Sequence, residues 1–572
     1  MPPLTSTPGL SWIDHLVILA YFGVLLAMGV TIGRRQRSTD DFFVAGRRLP
    51  AWAVGISLLA SIFSTIAFLG TPGEMFRTGI GFLMREASIP LVLVVVWFLW
   101  IPFFMRLKLT SAYEYLEFRF NYPTRALAAV FCLLLLFGWV AVVVLTASKA
   151  MVEITMFDVP WFFGRNSADY SDADVHLFIL SIGLFSVVYT TMGGIRVVVW
   201  TDVLQFFILI GGAVATMVTV AWITDSGFSD WFEVSQAYKF EKLEWFSWDV
   251  GDRSTVAFVM TGMFFWYICT HGANQITLQR YFTVRDVWAA RCSYLVSALA
   301  KIVLALVLGG VGIALMYFVQ HYEIPAAAAL ESDDARLRVD AQDAIFPQFI
   351  GHYLPRGIRG LVVAALFAAA MSTIDSGANS AATIMTVDFF RRGSKGAIAP
   401  SRRGAGANRL AQQTGSEKIV AERAELRLAR ILTATSGLVV IAATFCLYHM
   451  SKGTDIITLC QKGFNLFLGP LGGLFVLAMF CRWATAHAVI PAVLLGEVVG
   501  VCAAYSQQLF GRPFSTFLVI GASWLATLVA GYALALLLWL VCGIQASAAQ
   551  RQWMWWPVVS RPLVEEPPPD VP

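Results

Sequence analysis

The sequence predicts an all-α integral membrane protein with about thirteen transmembrane helices. Three observations carry that prediction. Of the 572 residues, 58% are hydrophobic and only 14% are charged, where a soluble chain carries about 25% charged residues. Apolar runs of about 20 residues, enough to cross a bilayer as a helix, recur along the whole length. The loops between them alternate between basic and acidic. A β-barrel would show short segments of alternating hydrophobicity instead.

Taken in order, the expected spans are 13–32, 51–70, 82–105, 125–148, 175–192, 197–223, 254–275, 291–319, 358–388, 428–449, 455–480, 485–505 and 516–543. Residues 1–12 hold no Lys or Arg, so the first span reads as a retained helix and not as a signal peptide. The second is interrupted and runs into "GTPGEMF"; the eleventh contains "GPLGG". Such Gly and Pro residues predict breaks, which a membrane protein tolerates where the freed backbone faces protein or a cavity. Odd-numbered loops carry "RRQRS" and "GRR" (34–48), "RLK" (106–108), Arg119, Arg125, Arg196, Arg280, Arg285, Arg291 and the basic stretch after Phe390. Even-numbered loops are acidic: "SADYSDADV", "EKLEWFSWDVGD" and "ESDDARLRVDAQD". The positive-inside rule then puts the N-terminus outside and the C-terminus in the cytoplasm, in a multi-pass cell-membrane protein.

A broken span opens a group of five that ends near 223, and a second group of five runs from about 254. Five is odd, so the groups have opposite orientations, as in transporters built from inverted repeats with a midplane site. The resulting division is an N-terminal helix and basic loop (1–50), a first repeat (51–223), and a second repeat (254–480) containing a cytoplasmic loop (391–427). Two C-terminal helices (481–545) and a Pro-rich tail (546–572) complete the chain. The eight Cys are scattered, mostly in apolar tracts, without zinc or disulfide spacing. The seven His are dispersed and form no nucleophile–base or metal cluster, so no enzyme activity is expected. The expected partners are a small-molecule solute and the lipid bilayer, with no nucleic acid.

Four stretches carry chemistry. In "AAAMSTIDSGANSAAT" (368–383), Ser372, Thr373, Asp375 and Ser376 fall within about one helical turn. Hard cations take hydroxyl, carbonyl and carboxylate oxygens, and the surrounding Ala and Gly let another helix approach. A polar small-residue helix interface accounts for the hydroxyls. It does not account for Asp375, since an ionised Asp at mid-membrane costs about 2.5–3.5 kcal/mol. In "TMGGIRVVVWTDVLQFF" (191–207), Gly193 and Gly194 predict a tight turn, and Asp202 is either a first-turn carboxylate or a functional group. In "ISLLASIFSTIAFLGTPGEMF" (56–76), unwinding near Ala60–Ser64 would free carbonyls for a cation. Finally Arg85, Glu86, Lys301, Lys462 and His271 are ionisable groups within spans. Each is either a functional residue or a snorkelling, paired or hydrogen-bonded one.

Four segments, "TMGGIRVVVWTDVLQ", "TSAYEYLEFRF", "GANQITLQRYF" and "MSTIDSGANSAATIMTVDFF", resemble in wording and order the signatures of the sodium/solute symporter family. The resemblance covers about residues 10–545. It implies a LeuT-type 5+5 inverted-repeat core with one helix before it and two after. "STIAFLGTPGEMFRTG" is similar to the monocarboxylate, multivitamin and iodide branch, and "MST" to proline transporters. Carried over by position, the resemblance implies a Na⁺ site made by the carbonyls of Ala60, Phe63 and Ala369 with the hydroxyls of Ser372 and Thr373. A second Na⁺ site, present in some members, would use Asp202, Ser372, Asp375 and Ser376; the family usually has Ser where Asp375 stands. Among solute contacts, Ala67 replaces the Gln of sugar-transporting members. Glu86, Lys301, Tyr267 and Lys462 match polar contacts, and Arg85 and His271 replace gating aromatics. The missing Gln argues against a sugar, while Arg85 and Lys462 favour an anion. The expected function is Na⁺-coupled symport of a small polar or anionic organic solute by alternating access. Proton coupling through Asp375, or a sugar or polyol substrate, is the alternative.

Overall fold

In the computed structural model, the described residues are 10–33, 39–155, 172–237, 244–252, 255–322, 324, 335–391, 415–450, 459 and 463–561. Among them all regular structure is helical. The spanning elements are α1 (Trp12–Gly33), the pair α2 (Ala51–Ile62) and α3 (Thr65–Thr78), α4 (Gly79–Leu107), α5 (Tyr122–Thr155), α6 (Ala173–Thr191) and α7 (Gly193–Thr224). Then follow α8 (Val256–Ala273), α9 (Gln275–Tyr281), α10 (Val287–His321), α11 (Ile358–Phe390), α12 (Arg423–Met450), α13 (Asn465–Phe480), α14 (Ala486–Ala504) and α15 (Thr516–Cys542). Eleven helices among the described residues are long and apolar enough to cross a bilayer, and the pair α2–α3 makes a twelfth. The remaining expected span, the eleventh (455–480), is represented by the shorter α13; residues 455–458 and 460–462 lie outside the described set. So do most of the basic 391–427 loop, much of the acidic loops and residues 562–572.

Two breaks shape the interior. The first is the one expected near Ala60–Ser64, whereas "GTPGEMF" makes no break and lies within one helix that contains Pro72. α2 stops at Ile62, Phe63 is extended (φ −96°, ψ 116°), and α3 leaves at 64°. The second was not foreseen. α8 stops at Ala273, and Asn274, extended at φ −84°, ψ 126°, starts α9 by accepting the Ile276 amide on its side chain at 2.9 Å. That is the Asx cap which ends one helix and begins another. The expected Gly193–Gly194 turn is present, with Gly194 at φ 51° and ψ −170°, a backbone open to glycine. The expected break at "GPLGG" is not. After a 3-10 turn over Asn465–Phe467, Pro470 sits in the first turn of the α-helical part Leu468–Phe480, where a missing N–H is tolerated. The glycines serve packing: a Cβ on Gly472 would lie 2.4 Å from the Cys269 sulfur of α8, and one on Gly473 2.8 Å from Thr527 of α15.

α11 runs through the centre and is almost wholly buried. Its small residues set that position. A Cβ on Gly212 of α7 would approach Ala365 at 2.8 Å, and one on Gly377 would approach Val140 of α5 at 2.5 Å. Its N-terminus is capped from another helix: Asp14 of α1 accepts the amides of Gly357 (2.7 Å) and Gly360 (2.8 Å). Three cations counted as loop charges are in fact buried. Arg119 donates to the carbonyls of Ala478, in the last turn of α13, and of Cys481 and Ala484 just beyond it. Arg125 pairs with Asp388 and Glu117, and Arg280 sits fully buried on α9. Orientation from loop charge therefore rests on the remaining basic residues.

Candidate functional site

The break after Ile62 lies against the hydroxyl-rich turn of α11. Ser372 Oγ faces two carbonyls, Ala60 O at 3.0 Å and Ala369 O at 3.2 Å. Thr373 Oγ1 approaches Ala369 O at 3.4 Å. A cavity of about 10 Å³, the size of a single water-sized particle, is lined by Ala60, Phe63, Ala369 and Ser372, with an otherwise largely apolar wall. Four of the expected oxygen donors thus converge, and Phe63 stands at the break beside them. A hydroxyl that donates to a carbonyl can instead turn its lone pair to a cation, as can the carbonyl. The donor set is neutral and all oxygen, which suits a monovalent hard cation.

One turn along α11, the expected second constellation divides. Asp202 of α7 accepts from Ser57 Oγ (2.6 Å) and from Arg280 Nη2 (3.1 Å). Arg280 also donates to Ser57 Oγ at 2.9 Å and to Ser376 Oγ at 2.5 Å, and Ser376 Oγ donates to Ser372 O at 2.6 Å. Asp375 turns elsewhere: it accepts from Tyr189 Oη and from Thr190 Oγ1 (2.5 Å) of α6. The four residues therefore do not share one ring, because a guanidinium takes the position between Asp202 and Ser376. Arg280 was missed as a site residue. The signal for it was in "GANQITLQRYF", where the Asn274 break starts a new helix that carries Arg280 inward.

On the other side of the Phe63 break lies a cavity of about 150 Å³. Ala67, Arg85 and Lys301 line it. Arg85 Nε bonds Glu86 Oε1 at 2.9 Å, its Nη2 donates to Thr71 Oγ1 at 2.9 Å, and its guanidinium lies 4.2 Å from the centre of the Phe82 ring. Lys301 Nζ is 3.8 Å from Glu86 Oε2 and 4.4 Å from the Tyr267 ring centre, and Tyr267 Oη donates to Glu86 at 3.1 Å. Glu86 and Tyr267 thus stand behind the wall. His271 is not at the cavity: it is buried, bonded through Nδ1 to Tyr281 Oη (2.8 Å) and packed on Tyr294. Lys462 lies outside the described residues. The wall residues that sequence reasoning missed include the aromatic Phe82, Trp139, Trp266, Phe464 and Phe517, with Asn465; apolar residues in spans give no signal that separates core from cavity.

A family model for the sodium:solute symporter family matches residues 42–411, about two thirds of the chain. The chain belongs to the sodium:solute symporter family. It is 31% identical over 492 residues to the sodium/sialic acid symporter of Aliivibrio fischeri, covering 86% of each chain. It is 28% identical over 500 residues to the sodium-dependent multivitamin transporter of Oryctolagus cuniculus, covering 87% of this chain and 70% of that one. The solved outward-open, substrate-bound structure of a Na⁺-coupled sialic acid symporter superimposes with a TM-score of 0.75 at 27% identity, over 92% of this chain and 98% of that one. The fold is LeuT-type, and the protein is a multi-pass, Na⁺-coupled solute symporter and not an enzyme. The symporter's two helix breaks, α2–α3 and α8–α9, are the discontinuities on which such folds build their sites.

Proposed function

We propose that this symporter couples Na⁺ entry to uptake of a small organic anion by alternating access, with Na⁺ held by the Ala60, Phe63 and Ala369 carbonyls and the Ser372 and Thr373 hydroxyls. The observation that carries the reading is that Ala60, Phe63, Ala369 and Ser372 line one particle-sized cavity between the broken α2 and α11, with Thr373 Oγ1 3.4 Å from the Ala369 carbonyl beside it. Na⁺ there ties α2 to α11 and so fixes the angle of α3, whose Ala67 and Thr71 line the solute cavity. Ion binding thereby orders the solute site through Phe63, which lines both cavities. The membrane potential supplies about 2.3 kcal/mol per charge per 100 mV. The remaining loop charges support a cytoplasmic start for α2. On that orientation the solute cavity opens outward and the Asp202–Arg280–Ser376 cluster seals the cytoplasmic side. Opening inward requires that cluster to part, which releases Na⁺ past Ser376 and Asp202. Sialic acid, named for the relatives, is one acid within the proposed class.

The experiment is solute uptake into proteoliposomes against Na⁺ concentration. The double variant Ser372→Ala, Thr373→Ala should raise the half-saturating Na⁺ at least tenfold. An unchanged Na⁺ dependence in that variant rejects the site.

A further inference from the structure

We infer that the solute is a monocarboxylate with a flat, apolar body, and that Arg85 is the residue that holds its carboxylate; this rests on the symport reading above. Among the described residues, the charged side chains in the cavity wall are Arg85 and Lys301, and the carboxylate bonded to them is Glu86. Two cations against one anion leave a single positive charge, which a monoanion neutralises. A neutral solute leaves it uncompensated in a low-dielectric site, and a dianion overshoots it.

Arg85 is the better placed of the two cations. Lys301 is held between Glu86 and the face of Tyr267. The Arg85 guanidinium is oriented by Glu86 on Nε and by Phe82 beneath it, while Nη1 makes no hydrogen bond among the described residues. Its Nη2 bond goes to the neutral Thr71 hydroxyl, which a carboxylate outcompetes because charge-assisted bonds are roughly twice as strong. A carboxylate can then take both Nη groups in the forked geometry that a lysine cannot offer.

The rest of the wall defines the body of the solute. Trp139, Trp266, Met263, Phe464 and Phe517 surround the cavity. Among the described residues, the uncharged hydroxyl and amide side chains in the wall are Ser64, Thr71 and Asn465, and two of the three are already engaged: Thr71 with Arg85, and Asn465 with the Trp266 indole N–H at 3.3 Å. A polyhydroxylated body would bury hydroxyls with too few partners, whereas an aryl ring gains stacking contacts.

The test is thermal stabilisation of the purified full-length protein, in Na⁺ and in choline, by benzoate, phenylacetate, benzamide, glucose and N-acetylneuraminate. Benzoate and phenylacetate should stabilise in Na⁺, and benzamide and glucose should not. Arg85→Gln should weaken benzoate binding at least tenfold and Arg85→Lys less, both with the stabilisation by Na⁺ alone retained. Benzamide matching benzoate, or N-acetylneuraminate or glucose outperforming both aryl acids, overturns the inference from the wild-type protein alone, whatever the variants do. Wild-type affinity in Arg85→Gln also overturns the role of Arg85. Loss of the Na⁺ response in the wild type, with aryl acids still bound, instead rejects the Na⁺ reading and leaves the anion site standing.

Discussion

The buried pair Asp202–Arg280 shows why side chains that look alike in sequence differ in consequence. Both groups are fully buried and 3.1 Å apart, so each compensates the desolvation of the other. Removing one partner strands a charge, at a cost of about 3–5 kcal/mol. Arg280→Ala should therefore lower the melting temperature of the purified protein sharply, and an apolar double replacement, Asp202→Leu with Arg280→Met, should recover much of it. Asp375 makes the contrast. Its partners are two hydroxyl groups and not a cation, so charge is not what fixes it. Asp375→Asn should keep the melting temperature and the Na⁺ dependence of uptake within about twofold. Asp375→Ala should cost about 1–3 kcal/mol, the penalty for leaving the Tyr189 hydroxyl buried without an acceptor, while Thr190 keeps the Ser186 carbonyl at 2.7 Å. A collapse of uptake in Asp375→Asn with the fold intact would point to proton traffic at this residue. These two carboxylates were both legible as unusual in the sequence. Their partners were not, because Tyr189 and Arg280 lie 186 and 78 positions away along the chain.

At the scale of elements, helix separation is set by absent side chains. Gly211 and Gly212 are neighbours on α7, yet a Cβ on Gly211 meets nothing within 4 Å, whereas one on Gly212 lies 2.8 Å from Ala365 on α11. Gly212→Leu should destabilise by about 1–3 kcal/mol through overpacking, and Gly211→Leu should be close to neutral, as thermal unfolding in detergent would reveal. Capping acts similarly at the second break. Asn274→Ala should cost about 1 kcal/mol and loosen α9, which carries Arg280, so its effect should also appear as a weaker seal between α7 and α11. The first break was readable because the hydroxyl residues Ser61, Ser64 and Thr65 cluster at it. The second was hidden because "GANQ" continues an apolar run, and a single Asn marks both a helix end and a helix start.

For the whole molecule, the remaining basic loops predict a sidedness that labelling can check. A cysteine at Gln508 should react with an impermeant thiol reagent on intact cells, and one at Ala549 only after permeabilisation; both positions are exposed. The tail is partly anchored. Trp555 donates to Leu99 O at 2.9 Å, and Trp553 stacks on Phe118. Residues 547–561 therefore pack on the cytoplasmic side of that orientation and do not extend freely. By itself, the sequence determined the membrane class, most of the spans, the first break and the hydroxyl turn at Ser372 and Thr373. These follow from local composition, since a bilayer demands long apolar helices and any departure from them stands out. Only the tertiary structure decided which side chains meet. It drew Arg280 into the position expected for a second ion, sent Asp375 to α6, moved His271 away from the cavity and made Trp139 and Trp266 part of its wall. Those outcomes depend on how helices distant in sequence face one another, and in an apolar chain the pattern that turns a helix toward lipid, core or cavity is nearly the same.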